Sequence, residues 1–232
     1  MPTLVAPFFR ASAAIGPRER ALFARDLSPA AFEIALRGSG AVARQNLRRL
    51  FAAAMLAEVM GGRLAFVEGW RSNAVSRAGR RPRTITGSWW FATFLTLLRR
   101  RGLVPDGPPP LRRDISRCTW EEARAVLEIA EGSPVIGVSD APCPSAARAG
   151  RYLRGGIVYT PGGALNRAVR SITSAQRNFW KAVQPGRVES LLAPLVEAPN
   201  WVLHGMSEAS AVVGIHPPLE VRLARALRPD AR

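Results

Sequence analysis

The sequence predicts an α/β protein: three layers built on a parallel sheet, followed by a helical C-terminal extension. Three observations predict it. From Ile115 to Tyr152 the chain reads as a capped helix, a short apolar strand and a second helix in direct succession, the order found in open parallel sheets. The strand in that run, Pro134 to Ser139 (PVIGVS), is almost wholly apolar, as strands covered on both faces are. At 232 residues the chain is long enough for one such domain with a sizeable core. The expected class is therefore Rossmann-like, with an irregular segment over residues 1–30, a ligand-binding α/β domain over 31–160 and the extension over 161–232.

Taken in order, residues 1–30 are punctuated by Pro2, Pro7, Gly16, Pro17 and Pro29 and predict no strand; Arg18 to Arg25 can hold a short helix. Phe32 to Leu36 (FEIAL) reads as the first strand, entering the turn Arg37-Gly38-Ser39-Gly40. A helix follows from Ala41 to Met60, with Leu47, Leu50, Phe51 and Ala54 as its apolar stripe and Arg44, Arg48 and Arg49 turned away. Gly61 and Gly62 end it, and Leu64 to Val67 is a second strand leading into Glu68. Residues 72–83 are polar, Arg-rich and aperiodic, an exposed loop. Ser88 caps a helix that runs to Arg101-Gly102, and Pro105 to Pro110 is a turn. Thr119 opens a third helix with the capping pattern Thr-x-x-Glu, completed by Glu122. Residues 144–154 read as helical and 156–159 (GIVY) as a short strand. Beyond Pro161-Gly162-Gly163 the pattern predicts one helix over 164–183, two shorter helices over 187–196 and 201–213, and a basic tail.

Hydrophobic residues make up 47% of the chain and charged residues 22%, ordinary values for a globular protein. The formal net charge of +16 is not ordinary and points to nucleic acid or another polyanion. Nearly all of it is arginine; the only lysine is Lys181. With so much Ala, Gly and Pro, that bias also fits a GC-rich coding sequence, so codon choice and a polyanion partner both remain open. Cys118 and Cys143 form no CxxC and have no neighbouring histidine, which predicts core thiols in a reducing compartment and no metal site. No secretory leader is evident, and no stretch reaches the roughly 18 apolar residues of a membrane span. The expectation is a soluble cytoplasmic protein.

Four features carry candidate chemistry. Gly38-Ser39-Gly40 between a strand and a helix is an anion-binding geometry, because glycines admit a ligand to the backbone and the helix start offers free amides; a plain turn also explains it. Glu68 at a strand end is placed to bind a hydroxyl, or to pair with an arginine. Trp89 and Trp90, with Arg71, Arg77, Arg80, Arg81, Arg83, Arg99, Arg100, Arg101, Arg112 and Arg113, compose a candidate nucleic-acid surface; core packing and a solvated face explain the same residues. Ser139 and Cys143 follow a buried strand and could be nucleophiles, but no histidine nearby in sequence can serve either as a base.

Gly38-Ser39-Gly40 and Arg44, Gly102-Leu103-Val104-Pro105, Ser116, Thr119, Glu122 and Ala123, then Val138-Ser139 and Arg148-Ala149, occur in an order that resembles the SanA/YdcF-like (ElyC/SanA/YdcF) domain family over residues 33–160. Three of its features are absent: the family's histidine before Arg-Ala is replaced around Cys143-Pro144-Ser145, its Ser-Gly-Gly after the second strand by Glu68-Gly69-Trp70, and the acidic residue opening its next helix near Ser88-Trp89. The resemblance implies a domain that binds a nucleotide, S-adenosylmethionine or another small polar ligand, and the missing histidine implies a catalytically silent copy. Its site would be lined by Gly38, Ser39, Gly40, Arg44, Glu68, Ser116, Thr119, Glu122, Ser139 and Arg148, with Arg44 as counter-charge to an anion. Two other readings compete: a nucleic-acid- or nucleoprotein-associated protein, viral or cellular, and an assembly protein forming a homo-oligomer through its C-terminal helices.

Overall fold

The computed structural model describes residues 1–8, 21–24, 27–69, 87–116, 119–139, 153, 157–168, 172–186 and the single positions 190, 202, 206 and 209. Five parallel strands, β1 (Leu4–Pro7), β2 (Arg63–Gly69), β3 (Leu111–Ser116), β4 (Val135–Val138) and β5 (Ile157–Tyr159), form one sheet in the order β3-β2-β1-β4-β5. The described helices are α1 (Pro29–Gly38), α2 (Ala41–Val59), α3 (Gly87–Arg100), α4 (Thr119–Ala130), α5 (Pro161–Ala168) and α6 (Ser174–Ala182). The expected three-layer α/β class is the observed one.

Strand alternation divides the core between the two faces. Val5, Leu64, Phe66, Ile136 and Val138 face α1, α2, α3, α5 and α6, while Leu4, Ala6, Phe8, Ala65 and Val135 face α4 through Ala123, Val126 and Ala130. Ring pairs tie the thicker layer together: Phe66 stacks on Phe91 at 4.5 Å between centroids, and Phe51 meets Phe179 at 5.0 Å.

The first strand is not where it was expected. β1 lies at Leu4–Pro7, inside the segment read as irregular, and all four residues are buried at the centre of the sheet. Phe32 to Leu36 is helix instead. Ser28 caps α1 by accepting from the Ala31 amide at 3.2 Å, and Pro29 occupies the first turn, the pairing that starts helices. Phe32 and Leu36, four apart, are buried, whereas Ile34 between them is 72% exposed. A strand would have put all three on one face. β3 was also missed, and the single helix expected over 164–183 is two. Thr173 and Gln176 form a reciprocal capping box that starts α6 afresh, a Thr-x-x-Gln signature present in the sequence.

Pro7 shapes the sheet. The Leu4 and Phe8 amides donate toward β4, to Pro134 and Val138 at 2.8 and 3.0 Å, so odd-numbered amides of β1 point to β2. Pro7 has no amide hydrogen to give, and pairing between β1 and β2 stops at Val5, while pairing with β4 continues through Pro7.

Two helix ends are closed by Schellman motifs. Gly61 and Gly62 donate back to Glu58 and Ala57 at the end of α2, and Gly102 and Leu103 donate to Arg99 and Leu98 at the end of α3. Gly61 and Gly102 have φ of 57° and 61°, which only glycine adopts without cost. Buried Gln176 joins α6 to the end of α3, its amide donating to the Leu103 carbonyl at 2.9 Å. Ala164, Leu165, Ala168, Phe179, Ala182 and Val183 belong to the main core, so α5 and α6 are built into the domain, with α6 against α1 and touching Phe51 and Met55 of α2. Among the described residues no helix is long and apolar enough to cross a membrane.

Candidate functional site at the carboxyl edge of the sheet

The chain runs outward from β1 through β2 to β3, then crosses through α4 to β4 on the other side of β1. The strand order therefore reverses between β1 and β4, and the crevice outside the carboxyl ends of two such strands is where open α/β sheets bind ligands. Three of the buried polar side chains belong to this end of the molecule. Asn46 and Arg49, three apart on α2, are 1% and 3% exposed, and Ser139, just past β4, is 1% exposed.

Arg49 was expected on the outer face of its helix. It is buried instead, and its Nη1 donates to the carbonyl of Phe8, the residue that follows β1. The amide of Phe8 bonds Val138 and that of Ser139 bonds the Tyr159 carbonyl at 3.0 Å, so the ends of β1, β4 and β5 are held in one ladder beneath the guanidinium. Glu122, in the first turn of α4 on the opposite face of the sheet, senses the same cation. Burial pushes the half-buried Glu122 carboxyl up to about 8, and the charge of Arg49 offsets part of that rise. A carboxylic acid that keeps its proton near neutral pH can donate a hydrogen bond, which an ordinary carboxylate cannot.

The glycine loop precedes α2. Gly38-Ser39-Gly40 joins two helices, not a strand to a helix. Ala41 and Arg49, whose guanidinium reaches the end of β1, are eight residues apart on α2, ~12 Å at 1.5 Å per residue. The Ser39 hydroxyl donates to the Leu36 carbonyl at 2.7 Å. The Arg44 guanidinium donates to the carbonyls of Arg37 and Ser39, closing the end of α1; burial, then the charge of Arg48, lowers its pKa. Arg44 thus caps α1. A Cβ at Gly38 would meet nothing within 4 Å. Gly38→Ala is accordingly expected to leave thermal stability unchanged or raise it by up to about 0.5 kcal/mol; a loss beyond ~1 kcal/mol in chemical denaturation would contradict this placement.

Of the other expected residues, Glu68 stands near the end of β2, where the register with β3 shifts between Val67 and Gly69, and Ser116 ends β3. Their side chains, with those of Thr119, Trp89, Trp90, Arg112 and Arg113, lie outside the described set, as do Arg71, Arg77, Arg80, Arg81, Arg83, Cys143 and Arg148 altogether. Ser116 is three strands from Ser139, ~14 Å at 4.8 Å per strand, so the two cannot both contact a ligand of a few atoms. Arg99 and Arg101, expected on a nucleic-acid surface, are engaged internally. Arg99 donates to the Gly107 carbonyl at 3.0 Å, and Arg101 donates to Leu27 at 2.7 Å while lying 4.5 Å over the Phe32 ring. Arg100 is exposed. Among the described residues no group of His, Cys, Asp and Glu side chains is arranged to hold a metal. A strand running into a helix through glycines does occur, at Thr160-Pro161-Gly162-Gly163, where the Thr160 hydroxyl accepts from the Gly163 amide at 2.9 Å.

Comparison with family models, with curated proteins and with solved structures finds no match to the chain.

Proposed function

We propose that this chain is a small-ligand-binding α/β domain whose site is the crevice between the carboxyl ends of β1 and β4. The observation that carries the reading is the reversal of strand order at β1 and β4 with Asn46, Arg49 and Ser139 buried at that end. Pockets of this kind are mainly apolar, with a few polar groups that fix orientation. Arg49 favours a ligand with an anionic or strongly accepting group, and protonated Glu122 would add a donor. That chemistry agrees with the nucleotide or S-adenosylmethionine implied by the resemblance to SanA/YdcF-like domains, although the residues carrying it are not those of the glycine loop.

A thermal-shift panel of nucleoside phosphates and S-adenosylmethionine tests the reading. One member should raise the melting temperature by several degrees, as expected near 100-fold saturation. Ser139→Ala should reduce that shift with little change in the unliganded melting temperature, and Arg44→Ala should leave the shift intact. A panel without any shift, or a shift lost through Arg44→Ala and kept through Ser139→Ala, would remove the site from the β1–β4 crevice.

A further inference from the structure

The buried polar side chains among the described residues are Ser39, Asn46, Arg49, Ser139 and Gln176. Ser39, Arg49 and Gln176 donate to the carbonyls of Leu36, Phe8 and Leu103, and Asn46 is engaged as well. Ser139 differs. It is 1% exposed and its amide donates to Tyr159, but its hydroxyl has no hydrogen-bond partner. A hydroxyl taken out of water without a partner costs stability, and a ligand oxygen placed beside it recovers that loss.

The start of α5 lies beside this serine. Gly137 is in register with Val158 and Val138 with Tyr159, and the bond from Ser139 to Tyr159 carries that register on to Thr160. Val138 and Tyr159 face the main core, so alternation turns the Ser139 and Thr160 side chains together to the other face, one strand spacing apart, ~4.8 Å. The Thr160 hydroxyl accepts from the Gly163 amide, and the Thr160 carbonyl accepts from that of Ala164. The hydroxyl still has its own proton to donate. Pro161 has no amide hydrogen, which leaves the Gly162 amide as the open donor of the first turn. No acid stands in that turn, and a Cβ at Gly162 would meet nothing within 4 Å.

Two hydroxyls, one amide and the positive end of a helix therefore meet where β4 and β5 end. All are donors, which suits an anion with several acceptor oxygens. We infer that the start of α5, together with Ser139, is the phosphate subsite of the ligand held in the β1–β4 crevice, and that this ligand is a phosphate ester. The inference rests on the small-ligand reading of the same edge and narrows it, because S-adenosylmethionine carries no phosphate. β4 stands between β1 and β5 in the sheet, so the subsite is one strand from the crevice, within the span of a single small ligand. The charge of Arg49 enters from the crevice side, at the Phe8 carbonyl.

The test is a thermal-shift series on the full chain that pairs each ester with its parent alcohol: AMP with adenosine, GMP with guanosine, ribose phosphate with ribose. Inorganic phosphate and S-adenosylmethionine complete the series. Inorganic phosphate should raise the melting temperature, and at least one ester should exceed its alcohol. Gly162→Asp sets a carboxylate on the helix start, where it favours the helix and competes with phosphate. It should keep or raise the unliganded melting temperature and weaken binding of that ester about tenfold or more, the scale of a lost charge-assisted hydrogen bond. Ser139→Ala, which removes only the hydroxyl, should narrow the gap between ester and alcohol, and it decides the matter if Gly162→Asp fails to fold. Esters that never exceed their alcohols overturn the inference, as does an ester shift that survives both substitutions. A shift from S-adenosylmethionine or an alcohol that Ser139→Ala reduces, with none from phosphate, ends the phosphate subsite and leaves the crevice reading standing. A shift from no compound ends both.

Discussion

Gly62→Ala is expected to cost about 2–4 kcal/mol of stability, the range of overpacking into backbone that cannot give way. A Cβ at this position would stand 2.4 Å from the Thr3 carbonyl oxygen and 3.4 Å from its carbon. The same carbonyl accepts from the Arg63 amide at 2.9 Å, and Gly62 itself donates to Ala57 at 2.7 Å. The methyl group therefore has to displace β1, β2 or the end of α2, and all three converge here. Gly61→Ala is the control. Its Cβ would enter open space, so only the left-handed φ of 57° opposes it, at about 1 kcal/mol. Urea unfolding of both variants checks the ordering; a Gly62→Ala loss no larger than that of Gly61→Ala would refute it.

Glu122 should make the protein less stable as pH rises from about 5 to 8. Its folded carboxyl is pushed up to about 8, above its unfolded value, so the folded state retains a proton that the unfolded state releases. The contribution is fully present below the unfolded pKa and is lost as pH climbs through the folded one. At 1.36 kcal/mol per unit the whole shift would amount to ~5 kcal/mol; Glu122 is only half-buried, and water reduces this to about 2–3 kcal/mol. Glu122→Gln, which mimics the protonated acid, should match the wild type at pH 5 and exceed its stability by that amount at pH 9. Parallel stability curves for the two proteins over that interval would show that the carboxyl titrates normally.

The long elements were legible because their periodicity is long. α2 carries Leu47, Leu50, Phe51 and Ala54 on one stripe and ends in a glycine pair, and α4 and β4 lie where the capping pattern and the apolar run placed them. The short elements were not. β1 is four residues ending in Pro7, and its burial comes from strands more than fifty residues away. β3 (Leu-Arg-Arg-Asp-Ile-Ser) is an edge strand whose charges mask its alternation. Phe-Glu-Ile-Ala-Leu satisfies both periods, and the Ser28-Pro29 start signal settles it as helix.

The candidate site was legible in its chemistry more than in its position. Ser139 was found because the strand before it is unmistakable, and Glu122 because it belongs to a capping pattern. Arg49 was assigned to solvent, since an arginine beside Arg48 on an amphipathic helix ordinarily faces water. Only the tertiary arrangement, which brings the open carbonyl of Phe8 to the middle of α2, gives it a reason to be inside.

The interruption at Pro7 has a mechanical consequence. β1 and β2 are joined by two residue pairs at the amino edge, Leu4 with Arg63 and Val5 with Leu64, and the close approach of Gly62 to Thr3 fastens that edge further. Beyond Val5 the two strands carry no cross-strand rungs, whereas β1 stays laddered to β4 along its whole length. The sheet therefore behaves as a clothes-peg: β2 and β3 form one jaw, β1, β4 and β5 the other, and the spring is the glycine-tight corner at the far end. The jaws are separate between β1 and β2, beside the β1–β4 crevice, whose own two strands stay in register through Pro7.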